Sequence, residues 1–292
     1  RYYTKNHGLV KTKIKFRSQF FYVFSRRVCY TLLKRQKRGQ KFMEYTRRYL
    51  MDGLHNLRDL GGYAVPGGVT RYGVLLRSDL PWHLTQDDGK RFAALGVRHT
   101  LDLRDVDESE TMPDELALLE GVAYRQIAMK RVARAVARSR PGGVNAFDDE
   151  FFWGDEYIRM LEDNRPWAKE CMEYLAAAEE TVLFHCFTGK DRTGILSALV
   201  LGVCGASSED IAADYSVSQI YLQPLYRWMR ENIPDFAARK ENAPFFSTAG
   251  ENILAVCDHL EKEYGGTERF LCECGVGADV LGALRRRLIK KA

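Results

Sequence analysis

Long apolar runs are missing from this 292-residue sequence. The longest, Ile195–Cys204, is about half of the roughly 18–20 uncharged residues that span a bilayer, and it reads as a buried helix. The shorter patch Phe20–Phe24 lies between Arg17 and Arg26–Arg27 and has no small-residue cleavage site after it, so it is not a secretory segment. Proline is scarce at eight residues, and with 24 glycines the chain is neither collagenous nor proline-rich. Cysteine is sparse and odd in number: Cys29, Cys171, Cys186, Cys204, Cys257, Cys272 and Cys274. Their scatter argues against a disulfide framework and for a reducing, cytoplasmic setting. Cys272 and Cys274 form a C-x-C with only His259 nearby and no second ligand pair at zinc spacing. No metal and no cofactor are expected.

Acidic residues are absent from the first 42 positions, which hold 13 Lys or Arg. Since the whole chain has 44 basic and 39 acidic residues, positions 43–292 carry 31 against 39, a charge of −8 after an arm of +13. The mild total of +5 describes neither part. Residues 1–43 are expected to be a basic extension outside the fold, and residues 44–292 the folded domain. Phe and Tyr interleaved with the arm's basic residues leave open a weak contact with an anionic membrane surface through residues 1–42. No nucleic-acid partner is expected. Apolar residues at 46% and charged residues at 28% exclude wholesale disorder of the remainder.

From about Glu44 the pattern alternates between strand and helix. Gly73–Arg77, after the turn Pro66-Gly67-Gly68, reads as a strand. Thr85 fits an N-cap for a helix reaching Leu95, with Gly96 just past its end. Val97–Leu103 reads as a strand, Glu115–Glu120 as a short helix and Val122–Ile127 as a strand. Residues 130–150 pass from basic to Gly-rich to acidic and read as a flexible connection or lid. Trp167–Glu180 has helical periodicity, Thr181–Cys186 is a short buried strand, and Thr193–Cys204 is an apolar helix. The remainder is expected to be mostly helical, broken at Pro224, Pro234 and Pro244. Such alternation predicts an α/β domain with a largely parallel sheet.

One segment concentrates chemistry: His185-Cys186-Phe187-Thr188-Gly189-Lys190-Asp191-Arg192-Thr193-Gly194. Placed between a strand and a helix, it turns backbone N–H groups and the positive end of the helix dipole into one concavity, which is an anion site. Gly189 and Gly194 let the backbone curl closely. Such surroundings favour the thiolate form of a cysteine, and the Arg192 fork can grip two phosphoryl oxygens. Nucleophile and anion clamp thus face one volume, as covalent phosphoryl transfer to sulfur requires. A Walker-type nucleotide loop is excluded, because Asp191 rather than Ser or Thr follows Gly189-Lys190.

Cys186, five residues and Arg192 resemble the C-x5-R signature of the cysteine-dependent protein-tyrosine phosphatase superfamily. The longer H-C-x-x-G-K-D-R-T-G is similar to that of atypical bacterial tyrosine and lipid phosphatases with fungal relatives. Asn56-Leu57-Arg58-Asp59-Leu60-Gly61-Gly62, Leu76-Arg77-Ser78, Leu101-Asp102-Leu103-Arg104 followed by Glu108 or Glu110, Asp214-Tyr215 and Glu263-Tyr264-Gly265-Gly266 resemble further family motifs in the expected order. The resemblance covers roughly residues 50–290. It implies a phosphatase-like α/β fold, a mostly parallel sheet flanked by helices with a helical lid or insertion. It also implies hydrolysis of phosphotyrosine, with phosphoserine, phosphothreonine or phosphoinositides as further substrates, through a phosphocysteine. The rival from another class is a catalytically silent phospho-binding module, which needs the nucleophile or the arginine to be missing.

Under the resemblance Cys186 is the nucleophile, Arg192 the transition-state clamp and Asp191 the matching candidate for general acid. The open alternatives for the acid are Asp102, Asp105 and the acidic residues 148–150. Phe187, Thr188, Gly189, Lys190, Thr193 and Gly194 shape the phosphate site, with Thr193 expected to hydrogen-bond the sulfur. Lys190 is expected at the rim, where it would suit a second phosphate. His185, Asp102 and Arg104 are supporting residues, the last two as a bracing ion pair.

Overall fold

The computed structural model describes residues 46–129, 152–232 and 246–291. The basic arm, the expected lid at 130–150, Pro234 and Pro244 lie outside the described residues. In chain order the strands are β1 (Arg58–Asp59), β2 (Ala64–Val65), β3 (Gly68–Thr70), β4 (Leu75–Ser78), β5 (Val97–Asp102), β6 (Ala123–Gln126), β7 (Thr181–His185) and β8 (Ile289–Lys291). The helices are α1 (Gln86–Ala94), α2 (Val106–Thr111), α3 (Trp153–Asp163), α4 (Arg165–Ala177), α5 (Asp191–Cys204) and α6 (Ser208–Ser216). They continue as α7 (Ser218–Tyr221), α8 (Gln223–Asn232), α9 (Gly250–His259), α10 (Thr267–Glu273) and α11 (Ala278–Leu288).

The main sheet has the order β1-β4-β7-β5-β6. Its β4–β7, β7–β5 and β5–β6 pairs are parallel, and only the edge strand β1 runs antiparallel. Both faces are covered, and the side chains divide as strand alternation requires. Leu76 and Leu183 face one way into a cluster with Leu57, Phe92 and Val97, while Leu75, Val182 and Phe184 face the larger core built with α4, α5 and α9. Helix α5 is apolar nearly all round and buried, so it runs through the centre of that core.

Local signals explain most boundaries. Thr85 caps α1 by accepting from the Asp88 N–H, Asp88 answers on the Thr85 N–H, and Gly96 takes the left-handed conformation (φ 72°). The helical course is interrupted just before Pro224, as expected, with α7 ending at Tyr221 and α8 starting at Gln223. Pro224 stands second in α8, where a missing N–H costs no intrahelical bond. The mostly helical end carries one strand that was not expected: β8 pairs antiparallel with β3, setting Ile289 opposite Thr70 in a small second sheet with β2. A run of three residues with two lysines shows no strand pattern by itself.

Strand β7 is central, and its neighbours end level with it: Ser78 of β4 and Asp102 of β5 both stand opposite His185. Whatever follows His185 therefore emerges at the carboxyl ends of the parallel strands, the place where open α/β sheets bind ligands.

Candidate active site

The loop from Cys186 to Lys190 joins β7 to α5, and the scaffold holds it from behind by its carbonyls. The Phe187 carbonyl accepts from the Leu80 N–H at 3.0 Å. Asn56 Nδ2 donates to the Thr188 and Gly189 carbonyls at 3.0 and 3.1 Å, and Arg77 Nη2 donates to the Gly189 carbonyl at 2.8 Å. In a planar trans peptide the C=O and the following N–H point opposite ways. The N–H groups of Thr188, Gly189 and Lys190 are thereby turned to the other, concave side. Gly189 has φ 68°, and a Cβ there would stand 2.2 Å from the Ser78 carbonyl oxygen, so only glycine fits.

These anchors come from motifs distant in the chain. Asn56 also accepts from Arg58 Nη1 at 2.6 Å, and Arg58 Nε pairs with Asp214 at 2.9 Å. Arg77 Nη1 meets the other Asp214 oxygen at 2.5 Å. All four side chains are buried. Burial works against the Asp214 charge, but Arg58 and Arg77 outweigh it and hold the carboxyl at about 2. The buried Asp79 carboxylate accepts from the His55 and Asn56 N–H groups and fixes the same turn.

Cys186, 2% exposed, opens the loop, and Arg192 stands in the first turn of α5. Glu108 of α2 grips the guanidinium with both oxygens, at 2.6 Å from Nη1 and 3.1 Å from Nη2. Burial opposes the Arg192 charge, yet Cys186 and Glu108 more than restore it, so this arginine stays charged. Glu108 is thus the acidic residue that reaches the site; Glu110 is exposed.

His185 is fully buried, with Nε2 3.1 Å from Asp114 Oδ2 and Nδ1 3.1 Å from the Cys186 carbonyl. Burial favours the neutral ring, but Asp114 and then Asp102 reverse this and raise its pKa. Asp102 and Arg104 form a fully buried pair, Nη2 to Oδ2 2.6 Å, and Arg104 Nη1 donates to the Met112 carbonyl at 2.7 Å. Burial pushes the Asp102 carboxyl up, but His185 and Arg104 outweigh it and lower it overall.

Asp191 accepts a hydrogen bond from Tyr157 of α3, and Tyr157 Oη lies 2.7 Å from Tyr215 Oη. Gly194 makes room for the Tyr215 ring, since a Cβ there would stand 3.0 Å from it. Lys190 departs from expectation. It is fully buried rather than at a rim, with Nζ 5.2 Å from the Trp153 ring centroid, 3.4 Å from the Ser247 carbonyl and 3.8 Å from Asp191 Oδ1. Burial lowers its pKa, against the pull of Asp191 and Cys186. The Thr193 hydroxyl is buried without a hydrogen-bond partner among the described residues, the Cys186 sulfur included. Among the described residues no group of three His, Cys, Asp or Glu side chains could hold a metal, and no helix is long and apolar enough to cross a membrane.

The structure brings together every loop residue singled out in the sequence and adds Asn56, Arg77, Glu108, Asp114, Trp153, Tyr157 and Tyr215 around them. Only Asn56, Arg77, Glu108 and Tyr215 had a sequence signal, as members of flanking motifs. Residues 148–150 lie outside the described residues.

A family model described as "Tyrosine phosphatase family" matches residues 49–290. A tyrosine-protein phosphatase of Nostoc commune is 30% identical over 212 residues, covering 70% of each chain. The triple specificity protein phosphatase PtpB of Mycobacterium tuberculosis is 27% identical over 127 residues, 39% of this chain and 46% of that one. The solved catalytic core of Siw14 is similar over 78% of this chain and 96% of its own, with 14% identity and a TM-score of 0.38. With the match running from before Asn56 to the last strand, the chain belongs to the tyrosine phosphatase family.

Proposed function

We propose that this protein hydrolyses phosphotyrosine in proteins through a phosphocysteine on Cys186. One observation carries the reading: the loop carbonyls of residues 187–189 are tied backwards to Leu80, Asn56 and Arg77, which turns the three following N–H groups to the opposite side, while Glu108 fixes Arg192 within reach of the Cys186 charge. That arrangement fits three equatorial phosphoryl oxygens, whose charge it stabilises without reorganising during reaction. Sγ attacks phosphorus, the phenol oxygen leaves with a proton from Asp191, and water then cleaves the S–P bond.

The acid is assigned to Asp191 by comparing carboxylates. Asp102 is buried against Arg104 and Tyr124 and has a lowered pKa, so it stays ionised and braces rather than donates. Asp191 is the first residue of α5, directly after the loop and next to the clamp Arg192. With both Cys186 and Arg192 in place, a silent binding module is the poorer reading.

The substrate is proposed to be a protein rather than an inositol lipid. A second phosphate was expected to rest on Lys190 at the rim, and the buried ammonium does not offer that contact. The relative named for triple specificity makes phosphoserine and phosphothreonine the further substrates to compare. A cytoplasmic setting is proposed from the scattered cysteines. Side-by-side turnover of a phosphotyrosine peptide, a phosphoserine peptide and phosphoinositide vesicles tests the substrate, with the first expected fastest. Faster turnover of the lipid would overturn it.

A further inference from the structure

Asp191 is held by more than its place at the start of α5. Helix α3, from a separate part of the chain, sets the fully buried Tyr157 against it, and Tyr157 Oη donates to Asp191 Oδ1. Tyr215 of α6 stands behind, 2.7 Å from Tyr157 Oη, with the two rings edge to face at 6.0 Å between centroids. Counting hydrogens settles the direction of the chain. A phenol has one hydrogen to give, Tyr157 gives its own to Asp191, and Tyr215 is therefore the donor to Tyr157. Burial, then the Asp191 charge, pushes both phenols upward, so both keep their hydrogens at neutral pH. The Lys190 ammonium also lies nearest Oδ1, at 3.8 Å.

Helix α3 is fixed at its far end as well. Glu162 accepts from Tyr264 Oη at 2.7 Å and lies 2.7 Å from His259 Nε2, which ties α3 to α9 and the turn after it. A group carried on a helix tied in this way can hold a carboxylate to one geometry.

We propose that Tyr157, steadied by Tyr215, is a positioning residue that decides which oxygen of Asp191 carries the transferable proton. This rests on Asp191 being the acid. With Oδ1 engaged as an acceptor, the proton of the acid form sits on Oδ2. As the Sγ–P bond forms and the P–O bond breaks, that proton moves to the leaving oxygen, which departs as a neutral phenol. The carboxylate left behind still accepts from Tyr157. In the second step Oδ2 takes a proton from water as water's oxygen bonds to phosphorus, the S–P bond breaks, and its electron pair returns to the thiolate.

The test is kcat/KM on a series of aryl phosphates, from 4-nitrophenyl to phenyl, for wild type, Tyr157→Phe, Asp191→Asn and the double variant. A good leaving group needs little help from an acid, and a poor one needs much. Tyr157→Phe is expected to lose about 10-fold on phenyl phosphate and less than about 2-fold on 4-nitrophenyl phosphate. Added to Asp191→Asn, it should cost nothing further, since it acts through that carboxylate. A loss uniform across the series, or additive in the double variant, would overturn the proposal and leave Tyr157 a packing residue. An Asp191→Asn enzyme without leaving-group dependence would instead remove the acid assignment. Should Tyr157→Phe fail to fold, Tyr215→Phe carries the test: a smaller loss with the same bias supports the chain, and an unbiased one overturns it.

Discussion

Arg192 meets a carboxylate on one side and the sulfur's surroundings on the other, and the Glu108 grip fixes where its fork points. Glu108→Gln should keep one contact and loosen the other, lowering kcat/KM by about 10-fold as the clamp loses its geometry; steady-state kinetics on 4-nitrophenyl phosphate checks this. Asp191→Asn should lower kcat by about 100-fold or more on a phosphotyrosine peptide, with a modest change in KM, because an acid acts in the transition state. An unchanged kcat would move the acid elsewhere. The proposed roles of Cys186, Asp191 and Arg192 could be read from the sequence because the three lie within seven consecutive residues. Their pairings could not, for Glu108, a flanking-motif candidate with no partner assigned, stands 84 positions from Arg192, and Tyr157 34 from Asp191. No local pattern in a single sequence announces such a pairing. Lys190 shows the opposite failure: its charge suggested solvent, and only packing against Trp153 and the Ser247 carbonyl reveals that it is buried.

At the scale of elements, the turn after β7 is held as much by β4 as by its own glycine. Gly189→Ala is expected to abolish most activity, since both its positive φ and the approach of the Ser78 carbonyl at 2.2 Å exclude a methyl group. Near-wild-type turnover in that variant would contradict the described loop. The long strands and α5 were readable, because an apolar run between turn residues marks a buried strand and the apolar stretch Thr193–Cys204 a central helix. The short strands β1, β2, β3 and β8 were not. Two or three residues carry no period, and pairing rather than propensity makes them strands. Helix α2 escaped notice for a related reason: it buries no side chain, so it shows no apolar stripe.

At the scale of the molecule, the sharp charge division leaves the whole matched region, residues 49–290, within the acidic part of the chain. Deleting residues 1–42 is proposed to leave turnover of a soluble substrate intact, and loss of activity in the truncated protein would show that the arm belongs to the fold. The buried Arg58–Asp214–Arg77 group ties β1 and β4 to α6 behind the loop of residues 186–190. Asp214→Asn leaves two buried arginines short of a charge and should cost about 3–5 kcal/mol in denaturant unfolding. The wild-type carboxyl is depressed from 3.8 to about 2, so its stabilisation is present above pH 3.8 and is lost as pH falls toward about 2. The variant should lack that part of the acid-induced loss. Both effects follow from the fold.

The central claim concerns one covalent bond. Mixing the enzyme with a phosphotyrosine peptide, quenching with acid within the first turnover and mapping by mass spectrometry should place a phosphoryl group on Cys186, and Cys186→Ser should bind the peptide without hydrolysing it. A phosphoryl group on another residue, or hydrolysis that persists in Cys186→Ser, would contradict the account.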